Sequence, residues 1–336
     1  MLSNDRRANA TLFGFDFQVN AAIVLMLDNI KKLQSLRLES NNEDIDIELD
    51  NGNHILAQAK AIVNSSTDFR NVRKNLKKAL QTLSESSNKV KTEQLILITN
   101  SPNPLNENAS RSIFYGAARR NFNTLPPSSQ KIITDYLSTF SEPMDTNQFF
   151  IRVLPFETDD DIERHKVVMQ IINDFIGDIN IDIPGIGKRL HTIWSKDIFK
   201  NGTKTDEDIK LTKNSLIWPM IVIATDINRI DRDFEDRFDT VQYDEIVRRY
   251  QELINSCCER VSFFTKILYD FNSYNYSGKG KEKTLNFVNE YWQNYVSEFE
   301  VNGIDEEIAE ALSKVVIYNV IRRRYDIDKI KKGVLL

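Results

Sequence analysis

Two charged clusters carry the chemistry open to this chain of 336 residues. The first runs Glu39-Ser40-Asn41-Asn42-Glu43-Asp44-Ile45-Asp46. The second, Gln58-Ala59-Lys60, starts fourteen residues after Asp44. Carboxylates on one short segment and a Gln-x-Lys on the next suit a divalent cation held beside a phosphodiester. Mg²⁺ takes one or two carboxylates and leaves its other positions to water and phosphate oxygens. A cation so held lowers the pKa of its bound water and offsets charge that builds at phosphorus. A lysine beside that water brings a compact ammonium with three donors. Gln58 would add a neutral oxygen ligand or position the water.

The elements must bring these groups together. Ile45-Asp46-Ile47-Glu48-Leu49 alternates apolar and acidic residues, which predicts a half-buried strand. Ile45, Ile47 and Leu49 face the core; Asp44, Asp46 and Glu48 face the other way. Asp50-Asn51-Gly52-Asn53 predicts a hairpin, with Asn-Gly as a two-residue turn. The return strand reads His54 to Ala61, and Gln58 and Lys60, two apart, share one of its faces. An acid of the first strand then lies beside both. Asp44 and Asp46 compete for that place, since they occupy the same face one step apart. The bland alternative is an acidic strand with a merely solvated face.

These residues resemble the PD-(D/E)xK restriction-endonuclease-like superfamily. More narrowly they resemble the double-stranded DNA endonuclease domain of CD-NTase-associated antiphage effectors and of the Lamassu nuclease subunit. The family opens on a helix with a Gly-aromatic-x-aromatic-Gln signature, here Gly14-Phe15-Asp16-Phe17-Gln18. It continues with a Glu, an acidic-Asp-Ile strand start and Gln-x-Lys, matched by Glu39, Glu43-Asp44-Ile45 and Gln58-Ala59-Lys60. The likeness spans about residues 8–155. It implies metal-dependent cleavage of duplex DNA, with Mg²⁺ or Mn²⁺ as cofactor. Asp44 would be the principal metal ligand, Gln58 would fill the second acidic position, and Lys60 would be the catalytic lysine. Glu39 and Gln18 would complete the pocket. An amide in place of the second carboxylate departs from the pattern and favours single-metal chemistry. The resemblance ranks Asp44 above Asp46, because Asp44 stands at the strand start.

Composition bounds the rest. Net charge is −5, so any nucleic-acid surface must be a local patch. Hydrophobic content of 41% supports an ordinary core. The two cysteines, Cys257 and Cys258, are adjacent and make neither a disulfide framework nor a zinc site. They are expected to be buried, in a reducing cytoplasm. The N-terminus is polar, and no apolar run approaches the eighteen residues of a membrane span, so no membrane partner is expected.

Along the chain, helix is expected over 14–34, a strand pair at about 36–49 and 54–62, and helix from Asp68 to about Ser86. On that last helix Val72, Leu76, Ala79, Leu80 and Leu83 recur at helical spacing. Its other side carries Arg70, Arg73, Lys74, Lys77 and Lys78, the densest basic patch of the chain. Directly after Lys60, this is where a phosphate backbone would lie. A solvated helix face is the alternative, and the place directly after Lys60 favours the DNA-facing reading. Strands follow at 94–100 and 149–154, with helices near 111–121, where Arg119 and Arg120 sit among aromatics, and from Pro127 to Phe140. Thr158 is expected to cap a helix whose first turn is acidic. Ser277-Gly278-Lys279-Gly280-Lys281 lacks phosphate-loop spacing and reads as a connection.

From about 160 the pattern is helical, over 160–177, 184–198, 240–271, 281–300 and 305–323. Residues 217–224 read as a strand or a buried connector, and histidines 54, 165 and 191 as scattered. The class is α/β, a restriction-endonuclease-like mixed sheet flanked by helices and followed by a mainly helical region. The expected domains are a nuclease domain over 1–205 and a helical oligomerisation or partner-docking domain over 206–336. A free duplex cutter would harm its host, so control is expected, through homo-oligomerisation or an SMC-type ATPase partner. That last step is an analogy. A nuclease-shaped subunit that binds nucleic acid or assembles without cutting is the alternative.

Overall fold

The computed structural model describes residues 8–226, 261–297 and 306–336. Residues 240–260 of the helix expected over 240–271, with Cys257 and Cys258, and residues 298–300 of that expected over 281–300 lie outside them. The chain divides into two compact units, Met1–Ile176 with Gly187–Lys213, and Gly177–Ile186 with Asn214–Leu336.

The first unit is α/β. Helix α1 (Asn9–Asn29) leads into β1 (Leu33–Leu38), β2 (Ile45–Leu49) and β3 (His54–Lys60). Then come helix α2 (Val72–Ser87), β4 (Thr92–Thr99), the short helix α3 (Asn108–Arg111) and β5 (Ala118–Asn121). Helix α4 (Pro127–Leu137), β6 (Phe149–Val153), helices α5 (Asp161–Asp178) and α6 (Ile186–Gly202), and the two-residue β7 (Leu211–Thr212) follow. The seven strands form one mixed sheet in the order β5-β6-β4-β3-β2-β1-β7. Strands β3, β4 and β6 run parallel, and the other pairings are antiparallel.

Strand β3 is central, and its alternation decides which helix meets which residue. Leu56 joins Leu95, Leu97 and Ile151 in a core closed by Leu76, Ala79, Leu80 and Leu83 of α2 and by Ile133 and Leu137 of α4. The spacing read on α2 is therefore its packing face. Helix α1 lies across the opposite face, where Asp28 pairs with Arg152, the neighbour of Ile151 on β6. By length and composition α1 is apolar enough to cross a membrane, which corrects the expectation that no segment approaches that length. Phe17 to Leu27 are buried within the fold, as befits a core helix.

Several element expectations are corrected. The helix expected over 14–34 ends at Asn29, and the strand expected over 36–49 is two antiparallel strands joined by the turn Glu39–Asp44. The Asn51-Gly52 connection is four residues long, closed by Leu49 N–H donating to Asn53 O at 2.9 Å. Gly52 alone takes positive φ (76°), so the type I′ turn that Asn-Gly favours, which needs two such residues, does not form. Residues 118–121 are an edge strand rather than helix, too short to show a period. Asp160, not Thr158, caps α5: its Oδ1 accepts from Ile162 and Glu163 N–H at 2.8 and 3.1 Å. Residues 217–224 belong to helix α7 (Lys213–Ala224), uniformly apolar and therefore without a readable period.

Arg37 pins the chain after α6 to β1. Only 2% exposed, its Nη1 donates to Asn201 O (2.8 Å) and Ile209 O (3.0 Å), and its Nη2 donates to Lys204 O (2.6 Å). The second unit is helical among its described residues. After α7 come α8 (Val261–Ser273), α9 (Gly280–Tyr291), α10 (Gln293–Val296), α11 (Glu306–Arg322) and α12 (Arg324–Val334). Its core includes Phe264, Phe287, Tyr295 and Tyr318. Of the segment at 277–281, residues 277–279 belong to the connection between α8 and α9, while Gly280 and Lys281 open α9.

Two histidines that look scattered in sequence meet where α5 and α6 pass α1. The rings of His165 and His191 are 5.0 Å apart, and His191 Nε2 is 2.8 Å from Asn20 Oδ1. Burial above all, then the neighbouring His165, pushes His191 down to about 4, against the pull of Asp16. Folded His191 thus stays neutral where an unfolded one, with its ordinary value of 6.5, takes a proton. Stability is unaffected above 6.5 and falls as pH drops from 6.5 towards 4. Urea titrations of His191→Gln should show a shallower loss of midpoint across that window than the parent chain. Parallel losses would contradict the assignment.

Candidate active site

The register of β2 and β3 sets the site. Ile45 pairs with Ala57 and Asp46 with Leu56, which leaves Asp44 at the strand entrance level with Gln58 and Lys60. Asp44 Oδ2 accepts the Ala59 N–H at 2.9 Å and lies 3.5 Å from Lys60 Nζ. The side chains of Asp44 and Lys60 are about a quarter exposed, and Gln58 is buried. Asp46 is elsewhere on that face. Its Oδ1 is 2.7 Å from His54 Nδ1, and its Oδ2 accepts from Asn42 Nδ2 at 2.8 Å. Of the two rivals, Asp44 is the one that meets Lys60.

Gln18 and Glu39 meet each other. Gln18 Nε2 donates to Glu39 Oε1 at 2.7 Å and to Asp44 O at 3.1 Å. Gln18 is buried, so its amide is committed to this turn rather than presented to a ligand. Glu39 N–H also donates to Asp44 O, at 2.8 Å. Glu39 takes φ of +53°, a left-handed conformation that costs a non-glycine residue of order 1 kcal/mol or more. The Gln18 bond and the turn hold it there, in a segment that also fixes the Asp44 main chain.

Sequence reading missed one acid. Glu43 is 4% exposed, and neither carboxyl oxygen has a hydrogen-bond partner. Burial pushes its carboxyl up to about 7; the nearby Gln58 amide opposes this, Asp44 adds to it, and Ser86 and Lys60 oppose it. Neither Gln58 nor Ser86 reaches bonding geometry with it. Ser86 Oγ donates instead to Asn42 O, at 2.5 Å. The local signal was the acidic pair Glu43-Asp44, but nothing periodic marked Glu43 as buried.

The chain leaving the site is clamped from β4. Thr99 Oγ1 donates to Lys60 O at 2.7 Å. Asn100 Nδ2 donates to Ile62 O (2.8 Å) and Phe156 O (2.7 Å), while its Oδ1 accepts Ile62 N–H (2.8 Å). Beyond Lys60 a cleft of about 460 Å³ opens between residues 61–64 and α2, lined by Lys74, Lys78, Asn71 and Asn75. The basic patch is therefore divided. Arg70 precedes α2 and is paired with Asp68 at 2.8 Å, which holds that half-buried carboxyl at about 2. Arg73 Nη2 donates to Asn106 O at 3.4 Å, and Lys77 sits over the Tyr136 ring at 5.9 Å. Lys74 and Lys78 alone of the five face the cleft. Arg119, on β5, donates to Gln94 Oε1 at 2.5 Å and packs over Phe150.

The side-chain groups gathered here that could face a cation, Asp44, the Gln58 amide and the unpartnered Glu43, would offer oxygen. That chemistry fits a hard cation such as Mg²⁺ or Mn²⁺ better than zinc. Among the described residues no group of three or more His, Cys, Asp or Glu is arranged to hold a metal ion. Compared with known proteins, the chain matches no family model, no curated protein and no solved structure.

Asn100→Ala would strand three main-chain groups, the buried Phe156 O and the part-buried N–H and O of Ile62. A loss of roughly 2–3 kcal/mol in urea unfolding is expected. A change below about 0.5 kcal/mol, the range of an ordinary surface substitution, would mean the clamp is dispensable.

Proposed function

We propose that this chain is a metal-dependent endonuclease of duplex DNA with a restriction-endonuclease-like core. The observation that carries the reading is the convergence of Asp44, Gln58 and Lys60 at one strand entrance, beside a cleft lined by Lys74 and Lys78. Asp44 and the Gln58 carbonyl oxygen would hold Mg²⁺ or Mn²⁺. The ion, when bound, supplies a water of lowered pKa and positive charge against the developing phosphorane. Lys60 lies close enough to Asp44 to donate to the attacking water or to a phosphate oxygen, and its charge adds to the stabilisation. Lys74 and Lys78, one helical turn apart, neutralise adjacent phosphates of a backbone lying in the cleft. Glu39 and Gln18 brace the turn that carries Asp44.

The wider setting is carried by the sequence resemblance. It proposes an effector of bacterial antiphage defence of Lamassu type, acting in the cytoplasm. Its helical region would oligomerise or dock onto an SMC-type ATPase that releases the nuclease. The amide at Gln58 favours one competing reading, a nuclease-shaped subunit that binds nucleic acid without cutting it.

Supercoiled plasmid incubated with the chain and Mg²⁺ or Mn²⁺ should be nicked or linearised. Asp44→Ala and Lys60→Ala should each lower the rate by roughly 100-fold or more, the scale on which lost transition-state donors and charges act. Cleavage that persists in both variants would sink the site. Tight DNA binding without cleavage, in the presence of any activating partner, would favour the non-cutting subunit.

DNA binding should depend on the two cleft lysines more than on paired Arg70. Lys74→Ala with Lys78→Ala should flatten the plot of log affinity against log salt by about 1.8, near 0.9 per phosphate contact. Arg70→Ala should barely move it. An equal effect of the two changes would return α2 to an ordinary solvated face.

A further inference from the structure

We propose that Glu43 is the second carboxylate of the cation site, standing in for the acid that Gln58 does not supply. This rests on the reading of Asp44, Gln58 and Lys60 as a metal-dependent site. Three observations carry it.

The first is the state of the side chain. Glu43 is 96% removed from solvent, and both its oxygens lack any hydrogen-bond partner. Buried polar groups in folded proteins are nearly always paired, and an unpaired buried carboxylate is among the costlier exceptions. Such a group calls for a partner outside the chain, and for two free carboxylate oxygens the natural one is a cation.

The second is position. Glu43 directly precedes Asp44 in the turn, and Ser86 Oγ donates to the carbonyl of its other neighbour, Asn42, at 2.5 Å; the Glu43 carboxyl also feels Gln58, Asp44 and Lys60, the three proposed site residues. Its main chain is fixed: Glu43 N–H donates to Ser40 Oγ at 3.0 Å, and Glu43 O accepts Ser40 N–H at 3.1 Å. The carboxylate is thus held by a closed turn while its tip stays unsatisfied, as a ligand prepared before the ion arrives would be.

The third is charge. Asp44 with a neutral amide offers a divalent cation one negative charge, and part of that is spent on Lys60 at 3.5 Å. Glu43 raises the count to two. The site then matches the ion and leaves the lysine for the phosphate. A core carboxylic acid with no ligand role would need no cation and would be replaced freely by glutamine.

The test is Mn²⁺ binding to the full chain without DNA, followed by calorimetry and by loss of the free-ion electron paramagnetic resonance signal. The chains compared are wild type, Glu43→Gln, Glu43→Asp and Asp44→Asn. The unfolding midpoint in chelator confirms that each is folded. Glu43→Gln should weaken Mn²⁺ about 10-fold or more, and Glu43→Asp less, because a carboxylate remains. Asp44→Asn should weaken it at least as much as Glu43→Gln. If Glu43→Gln binds as the wild type does while Asp44→Asn fails, the assignment of Glu43 falls and the reading of the site stands. If the wild type binds no Mn²⁺ at millimolar concentration, both fall. Should Glu43→Gln not fold, Glu43→Asp decides, since a carboxylate drawn back by one methylene must weaken a directly bound ion.

Discussion

One carboxylate oxygen, Asp44 Oδ2, receives the Ala59 N–H and lies beside the Lys60 ammonium, and the rest of the site is arranged around it. The main-chain bond fixes where Asp44 sits relative to β3. The lysine then reaches the same oxygen from the next residue. This works only because β2 and β3 are in the register that pairs Ile45 with Ala57. A slip of one residue would turn Gln58 and Lys60 to the α1 face. Register is in turn enforced by burial on both sides: Ile45, Ile47, Ile55 and Ala57 on one face, Leu56 under α2 on the other. The hydrophobic core is what holds a polar constellation to the tolerance that chemistry needs.

The turn Glu39–Asp44 is where that precision is most expensive. It contains a left-handed glutamate, a buried unpaired one and the site aspartate within six residues. Strain and unsatisfied charge concentrate where surrounding structure over-determines the backbone. Here Gln18 from α1, Ser40 within the turn and Ser86 from the end of α2 supply the constraint. Helices on opposite faces of the sheet therefore converge on one loop, and each contributes a side chain whose main task is to hold another in place.

What could be read from the sequence was local and periodic. Alternation in Ile45–Leu49 gave β2 and its face, and the spacing from Val72 to Leu83 gave the packing face of α2. The Gln58-x-Lys60 spacing put both side chains on one face of β3. What could not be read depended on partners distant in sequence. Glu43 is buried by its neighbours, Gln58 and Ser86 among them, and nothing in its own segment says so. Ser40-Asn41-Asn42 are turn formers, but read as part of an acidic cluster they hid the break between β1 and β2. Arg70 looks like a member of a basic face until the helix is seen to start at Val72 and Asp68 to claim the guanidinium. His165 and His191 meet only because α5 and α6 fold back past α1.

The central claim is that Asp44 and Gln58 present their oxygens to a divalent cation beside Lys60. Crystals of the chain soaked in Mn²⁺ and measured at the manganese absorption edge address it directly. The account predicts an anomalous peak within bonding distance of an Asp44 carboxylate oxygen and the Gln58 carbonyl oxygen. A peak elsewhere, with none at Asp44 under saturating Mn²⁺, would contradict it.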